Sequence, residues 1–328
     1  MNKIKPRLIF PIFIPHRGCP FRCIFCDQYR IANVPPQLIP PRKGISHPLE
    51  NEQVAAAKFI AKHDGLDKEI AFYGGSFTFL SEVEMQSYFN DIKGCFDKKT
   101  FFRISTRPDG ISEKILLFLK ENRVNTIELG IQSFSDNELE TCQRGYDAIT
   151  AITACHLVKS MGFNLSVQLL IGLPGANQDS YAVSMQQLRE IKPDFVRLYP
   201  LLVLKGTQLE VMYKAGLFQP LSVEEAAIIC AKFLKVCKEN NIDIAKIGLH
   251  GDLKRDTIVA GPFNENFGEM VYGLDFAWDI IERHDSLDTL TVSNKILSQL
   301  NAYNKYAMNI LKERFEGLNI IQPLHHKG

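Results

Sequence analysis

Short β-branched or aromatic runs alternate with longer helical stretches along most of the chain, and this alternation restricts the folds open to it. The strand-like segments are RLIFPIFI (7–14), EIAFY (69–73), FFRIST (101–106), NTIELGI (125–131), NLSVQLLI (164–171) and DFVRLYPL (194–201), with DIAKIGL (243–249) as a seventh. Strands interleaved with helices imply parallel βαβ units, whose crossovers are right-handed in nearly all cases. The pattern predicts an α/β fold, either an open doubly wound sheet or a barrel, complete or incomplete. In each of these architectures, ligands collect at the carboxyl ends of the strands.

Helix starts are readable between the strands. Ser81 with Glu84, Ser135 with Glu138 and Ser222 with Glu225 have capping-box spacing, which would satisfy otherwise orphaned amide groups. After Ser81, the residues Val83, Met85, Tyr88, Phe89, Ile92 and Phe96 form an apolar stripe expected to pack against a sheet. The alternation stops near residue 250. GDLKRDTIVAGPFNENFG reads as a loop, 275–283 and 291–314 as helices, and the tail GLNIIQPLHHKG as irregular. Two regions are predicted: a catalytic α/β unit over 1–250 and a helical extension or lid over 251–328. His250, His325 and His326 are given no role.

Bulk properties exclude several classes. The 328 residues are 45% hydrophobic with a net charge of +1, so a sizeable core is expected and no general pull toward nucleic acid. No apolar stretch approaches the roughly 20 residues a membrane helix needs. The start MNKIKPRLIFPIFIPHRG has a basic head and an apolar middle, but Pro11 and Pro15 interrupt it and no small-residue cleavage site follows. A buried strand and a cytoplasmic chain are expected. Its eight cysteines are then not a disulfide framework, because the cytosol keeps thiols reduced. Cys95, Cys142, Cys155, Cys230 and Cys237 are scattered among helical segments and read as small buried apolar side chains.

The remaining three cysteines stand together in HRGCPFRCIFCDQ (16–28), directly after the first strand. The spacing C-x3-C-x2-C leaves two readings open. With His16 the loop supplies four candidate zinc ligands, H-x2-C-x3-C-x2-C. Alternatively, Cys19, Cys23 and Cys26 hold three irons of a [4Fe–4S] cluster, which normally takes four thiolates, and leave one iron open. An open iron suits chelation by the amino and carboxylate groups of S-adenosylmethionine, a cofactor whose reductive cleavage supplies radical chemistry.

These residues resemble the radical S-adenosylmethionine (radical SAM) superfamily, whose signature is this spacing with an aromatic residue before the last cysteine, here Phe25. The resemblance implies that Phe25 lies near the adenine of the cofactor. YGGSFT after the second strand is similar to the family's glycine motif, which places Gly74, Gly75 and Ser76 at the methionine amino group. Ser76 and Thr78 carry hydroxyls where many members carry a carboxylate. ELGIQS and CQRGY resemble the branch containing oxygen-independent coproporphyrinogen oxidase and the Elongator catalytic subunit. There the matching Gln132 contacts the ribose and the matching Arg144 pairs with the cofactor carboxylate, as a guanidinium fork suits. In STRPDG, Ser105 stands where relatives carry a ribose-binding Glu, and is retained as a cofactor contact. LLIGLPG and LYPLLVLKGTQLE resemble segments that wall the adenine, with Ile171, Gly172 and Tyr199 as contacts. The implied fold is an incomplete (β/α)6-type barrel with the cluster at its carboxyl-end mouth.

The motif order over residues 8–250 is that of the Elongator-type radical SAM domain. The chain begins almost at the first strand, and its tail contains no Q-x-x-G-x-G-like acetyl-CoA loop, so acetyl-based uridine modification by this chain alone is not expected. The resemblance implies an iron–sulfur enzyme that cleaves S-adenosylmethionine to a 5′-deoxyadenosyl radical and abstracts hydrogen from a substrate. Its partners would be an electron donor such as flavodoxin or ferredoxin and, as substrate, tRNA. The alternatives are a tetrapyrrole or other small metabolite as substrate, or a noncatalytic metal-binding sensor.

Overall fold

The computed structural model describes residues 8–31, 49–249 and 253–322. Arg7, His250, His325 and His326 lie outside them. The first part of the chain forms β1 (Leu8–Phe13), α1 (Gln28–Ile31), α2 (Glu50–Lys62), β2 (Lys68–Tyr73), α3 (Glu82–Lys93) and β3 (Thr100–Thr106). Then come α4 (Glu113–Glu121), β4 (Val124–Gln132), α5 (Asp136–Thr141), α6 (Ala148–Ser160), β5 (Asn164–Ile171), α7 (Gln178–Ile191) and β6 (Phe195–Pro200). The last part holds β7 (Val203–Leu204), α8 (Gln208–Lys214), α9 (Val223–Glu239), β8 (Asp243–Ile247), β9 (Ile258–Ala260), α10 (Phe267–Arg283), β10 (Thr289–Thr291), α11 (Asn294–Arg314) and β11 (Asn319–Ile321).

Seven strands form one parallel sheet in the order β1-β2-β3-β4-β5-β6-β8. Each is one of the seven segments expected from the sequence. Among the described residues β1 and β8 do not pair with each other, so the curled sheet is a partial barrel. Successive side chains point to opposite faces of a strand. On β5, Leu165, Val167, Leu169 and Ile171 enter the core beneath the helices, while Gln168 and Leu170 face the lumen cavity.

Packing follows from the amphipathic helices. On α3, Met85, Tyr88, Phe89 and Ile92 are buried, whereas Val83, expected in the same stripe, is exposed. Phe89 packs against Phe102 of β3 with ring centroids 4.7 Å apart and the rings tilted by 46°. Each such fully buried side chain contributes roughly 1.5–3 kcal/mol. The capping boxes at Ser81 and Ser222 are complete. The one expected at Ser135 is not: Ser135 makes no cap hydrogen bond, and Glu138 is drawn into the interior. There burial pushes its carboxyl pKa up, and the Ser180 and Ser133 hydroxyls act against the rise.

Two segments read as irregular carry short strands. β9, inside the expected loop, pairs antiparallel with β7; β11, in the expected irregular tail, pairs parallel with β10. Both are three residues long, too short to show a period. The first half of α10 packs Phe267, Met270, Val271 and Leu274 into the main core, and Ala277 joins a second cluster with Leu300 and Leu311 of α11. No helix among the described residues is long and apolar enough to cross a membrane.

Candidate active site

The cysteine loop leaves the carboxyl end of β1 and is sewn onto the turn after β2. His16 N–H donates to the Gly74 carbonyl at 2.7 Å, and Ser76 N–H donates to the Arg17 carbonyl at 2.8 Å. The approach is so close that a Cβ on Gly75 would overlap the Arg17 carbonyl and lie 2.9 Å from the Ile14 carbonyl oxygen. A Cβ on Gly18 would likewise overlap the Ser76 carbonyl. Glycine is required at both positions for contact, and Gly18 also takes a positive φ of 73°. Further along, Ile24 N–H donates to the Cys142 carbonyl, and Leu209 N–H at the start of α8 donates to the Ile24 carbonyl at 2.8 Å.

This backbone presents three half-buried free thiols, each beside a polar group. Cys19 Sγ lies 3.4 Å from Ser76 Oγ, Gln28 Nε2 donates to Cys26 Sγ at 3.4 Å, and Arg144 Nη1 donates to Cys23 Sγ at 2.8 Å. Burial pushes the Cys19 and Cys26 thiols up, with repulsion from Cys23 adding to it. Buried Cys142, Cys155 and Cys237 are each pushed up by desolvation to about 12 and face no such donor set. His16, the fourth ligand in the zinc reading, uses Nε2 to accept the Gln28 amide at 2.9 Å. Among the described residues no three His, Cys, Asp or Glu side chains are gathered as they would be around one metal ion.

Opposite the loop, β4 ends in a bulge, with a register shift against β5 between Leu129 and Gln132. Gln132 has a positive φ of 72° and is buried, its Oε1 accepting from Gln168 Nε2 at 3.4 Å. Arg144 returns from the turn after α5 to the same strand end. Its Nη2 donates to the Gly130 carbonyl at 2.6 Å and to Tyr146 Oη at 2.7 Å, and its Nε donates to Tyr146 Oη at 3.0 Å. Tyr146 in turn donates to the Gly130 and Ile131 carbonyls.

The loop and these strand ends enclose a cavity of about 380 Å³. Of the residues singled out in the sequence, Cys19, Cys23, Cys26, Phe25, Gly74, Gly75, Ser76, Ser105, Gln132, Arg144 and Tyr199 line it. Ile171 and Gly172 do not line it. The strand alternation turns Ile171 into the core, and a Cβ on Gly172 would meet the Leu221 side chain 2.9 Å away. Their places on the wall are taken by Gln168 and Leu170.

The floor is a polar layer that sequence reasoning missed. Glu128 on β4 accepts from Arg197 Nε of β6 at 2.8 Å and from Arg103 Nη1 of β3 at 3.5 Å. Arg103 also pairs with Glu69 of β2 at 2.8 Å. Arg197 donates on to Tyr73 Oη at 3.0 Å and Tyr199 Oη at 3.3 Å. Burial raises both phenols, and the charge of Glu128 adds to it. The available signal was the occurrence of Glu69, Arg103, Glu128 and Arg197 within otherwise apolar strands. A charge inside a buried strand must be paired, so the four together mark a common interior face.

A parallel partial barrel with a cysteine loop at its first strand end and a cavity at the carboxyl-end mouth defines a class of α/β proteins. The chain belongs to the radical SAM superfamily: the superfamily model matches residues 13–188, and the Radical_SAM C-terminal domain matches 193–273. It is 31% identical over 232 residues to the tRNA uridine(34) acetyltransferase of Methanocaldococcus infernus, a match over 62% of this chain and 42% of that protein. It is 28% identical over 216 residues to the heme chaperone HemW of Bacillus subtilis, a match over 63% of this chain and 55% of that one. The archaeal M. infernus Elp3 structure superposes with a TM-score of 0.64 at 22% identity, over 84% of this chain and 62% of that one. The Escherichia coli coproporphyrinogen III oxidase HemN superposes with a TM-score of 0.51 at 15% identity, over 83% and 60%. The chain thus spans about two-fifths to three-fifths of these relatives.

Proposed function

We propose that the chain is a radical SAM enzyme that binds one [4Fe–4S] cluster at Cys19, Cys23 and Cys26 and S-adenosylmethionine beside it. The observation that carries this reading is the convergence of three half-buried thiols, the Gly74–Ser76 turn, Gln132 and Arg144 on one cavity. The donor set fits an electron-rich sulfur cluster: Arg144, Gln28 and Ser76 each stand against a different thiol, and Nη1 of Arg107 is buried beside the loop without an acceptor. When bound, the cluster would supply the electron that cleaves the sulfonium and yields a 5′-deoxyadenosyl radical for hydrogen abstraction.

The side chains divide the remaining work. The Gly75 turn lets backbone approach the ligand, Ser76 offers a hydroxyl, and Gln132 offers an amide able to satisfy a sugar hydroxyl. Arg144 brings a guanidinium suited to a carboxylate. Phe25 and Tyr199 supply aromatic walls, and Ser105 a hydroxyl on the ribose side. His16 is engaged with the Gln28 amide, which counts against a zinc site and hence against a zinc-based sensor.

The substrate in this reading is RNA. Its support is the similarity to tRNA uridine(34) acetyltransferases and the charge of the cavity wall. Arg22, Arg107, Arg144, Arg197 and Lys246 face a single carboxylate, Glu128, among the described lining residues. Such a field concentrates anions. Gel-shift titration of reconstituted protein against tRNA over a salt series tests it: affinity is expected to fall steeply with salt, and an absence of binding at low salt refutes the RNA reading. Iron and sulfide content after anaerobic reconstitution tests the cluster, with four irons per chain expected.

A further inference from the structure

Arg107 follows β3 and lies under the cysteine loop, with its side chain only 5% exposed. Its guanidinium carbon stands 5.1 Å from the ring centroid of Phe21, within the loop, and 5.1 Å from that of Tyr146. Nε and Nη2 donate to the Asp109 carboxylate at 2.9 and 2.7 Å, and Nη2 also donates to the Arg144 carbonyl. The residue therefore ties three segments of the site together. Nη1 is the exception, being buried without any acceptor.

An unpaired buried guanidinium N–H costs on the order of 1–3 kcal/mol or more, and buried polar groups are otherwise nearly always satisfied. Arg107 lines the cavity that holds the three cysteines. Arg144 already serves Cys23.

We infer that Arg107 Nη1 donates a hydrogen bond to a sulfur of the bound cluster or of a ligating thiolate and raises the cluster's reduction potential. The inference rests on the cluster reading above. Its physical basis is that hydrogen bonds to the sulfurs and local charge set iron–sulfur potentials. A nearby cation favours the reduced, more negative form.

The test is an EPR-monitored redox titration of the anaerobically reconstituted full chain without S-adenosylmethionine, so that the midpoint reports the cluster alone. R107Q is expected to retain its iron and to show a tenfold lower reduced-to-oxidised ratio at the wild-type midpoint. That corresponds to a shift of about 59 mV to more negative potential. R107K, which keeps the charge, is expected to shift less. An unchanged R107Q midpoint at full iron content overturns the inference, as does an R107K shift equal to that of R107Q.

Should R107Q lose iron, pulsed EPR on protein labelled with 15N-arginine gives an independent answer. A guanidinium 15N coupling to the reduced cluster that persists in R144K and vanishes in R107K supports the assignment. A coupling that persists in R144K and still survives when R107K is added to it, or no coupling outside Arg144, overturns it. A wild-type chain that takes up no iron refutes the cluster reading itself, an outcome separate from all of these.

Discussion

Arg144 Nη1 lies 2.8 Å from Cys23 Sγ, although 121 residues separate the two in the chain. The contact joins the first strand end to the fourth and directs a buried cation at a candidate cluster ligand. The same guanidinium is anchored on the Gly130 carbonyl and Tyr146 Oη. Arg144→Met removes these charged donors from a buried site, where hydrogen bonds to charged groups are worth roughly 1.5–3 kcal/mol each, and leaves Tyr146 alone on the Gly130 carbonyl. A loss of at least ~2 kcal/mol in denaturant unfolding is expected. Arg144→Lys keeps the charge but not the fork, and should recover part of the stability while binding S-adenosylmethionine at least tenfold more weakly in equilibrium dialysis.

The contact of the cysteine loop with the Gly74–Ser76 turn makes a separate prediction. Gly75→Ala sets a methyl against the Arg17 and Ile14 carbonyls, so the two segments must part. Overpacking of this kind costs about 1–3 kcal/mol, and iron loading should fall with it. Gly94→Ala at the end of α3 is the control. It has open space and an ordinary right-handed conformation, and should stay within about 0.5 kcal/mol of the parent.

Glu128 is the hub of the cavity floor, serving Arg103 and Arg197 together. Glu128→Gln leaves the buried Arg197 guanidinium without a carboxylate, while Arg103 keeps Glu69, and breaking a buried pair costs roughly 3–5 kcal/mol. Combining Glu128→Met with Arg197→Met removes both sides of the pair. The double variant is expected to lose at least 1 kcal/mol less than the sum of the single losses, which a double-mutant cycle in urea measures.

Glu138 predicts a pH effect of defined sign. Burial raises its pKa above the ordinary carboxylate value, against the influence of the Ser180 and Ser133 hydroxyls, and its Oε1 has no partner. A carboxyl whose folded pKa is raised contributes stability that is complete below the unfolded value, near 4.5, and is lost as pH rises through the folded value. Glu138→Gln removes that loss. Its stability relative to wild type should therefore increase as pH rises from 4 to 7, and an unchanged or falling difference contradicts the assignment.

Much of the fold was legible because the strand runs are distinct and the helices carry capping signals. Ser81 and Ser222 behave as local chemistry dictates. Ser135 fails because Glu138, its expected partner, is drawn into a buried pocket by residues from α7 that local sequence does not show. The candidate site was legible where motif residues sit on loops at strand ends, as with Cys19, Gly75 and Arg144. It was less so within strands. Choosing Gln168 and Leu170 over Ile171 and Gly172 depends on which face of β5 turns inward. The pairing of Glu128 with Arg197 depends on a strand order that no sequence period encodes.

The central claim is that this cavity couples an iron–sulfur cluster to S-adenosylmethionine. The most direct measurement is 5′-deoxyadenosine formed by anaerobically reconstituted protein given dithionite and S-adenosylmethionine, alongside Cys19→Ala, Cys23→Ala and Cys26→Ala variants. The account predicts 5′-deoxyadenosine and methionine from the wild type and none above background from any of the three variants. Iron-loaded wild-type protein that yields no 5′-deoxyadenosine, or a cysteine variant that yields as much as wild type, would contradict it.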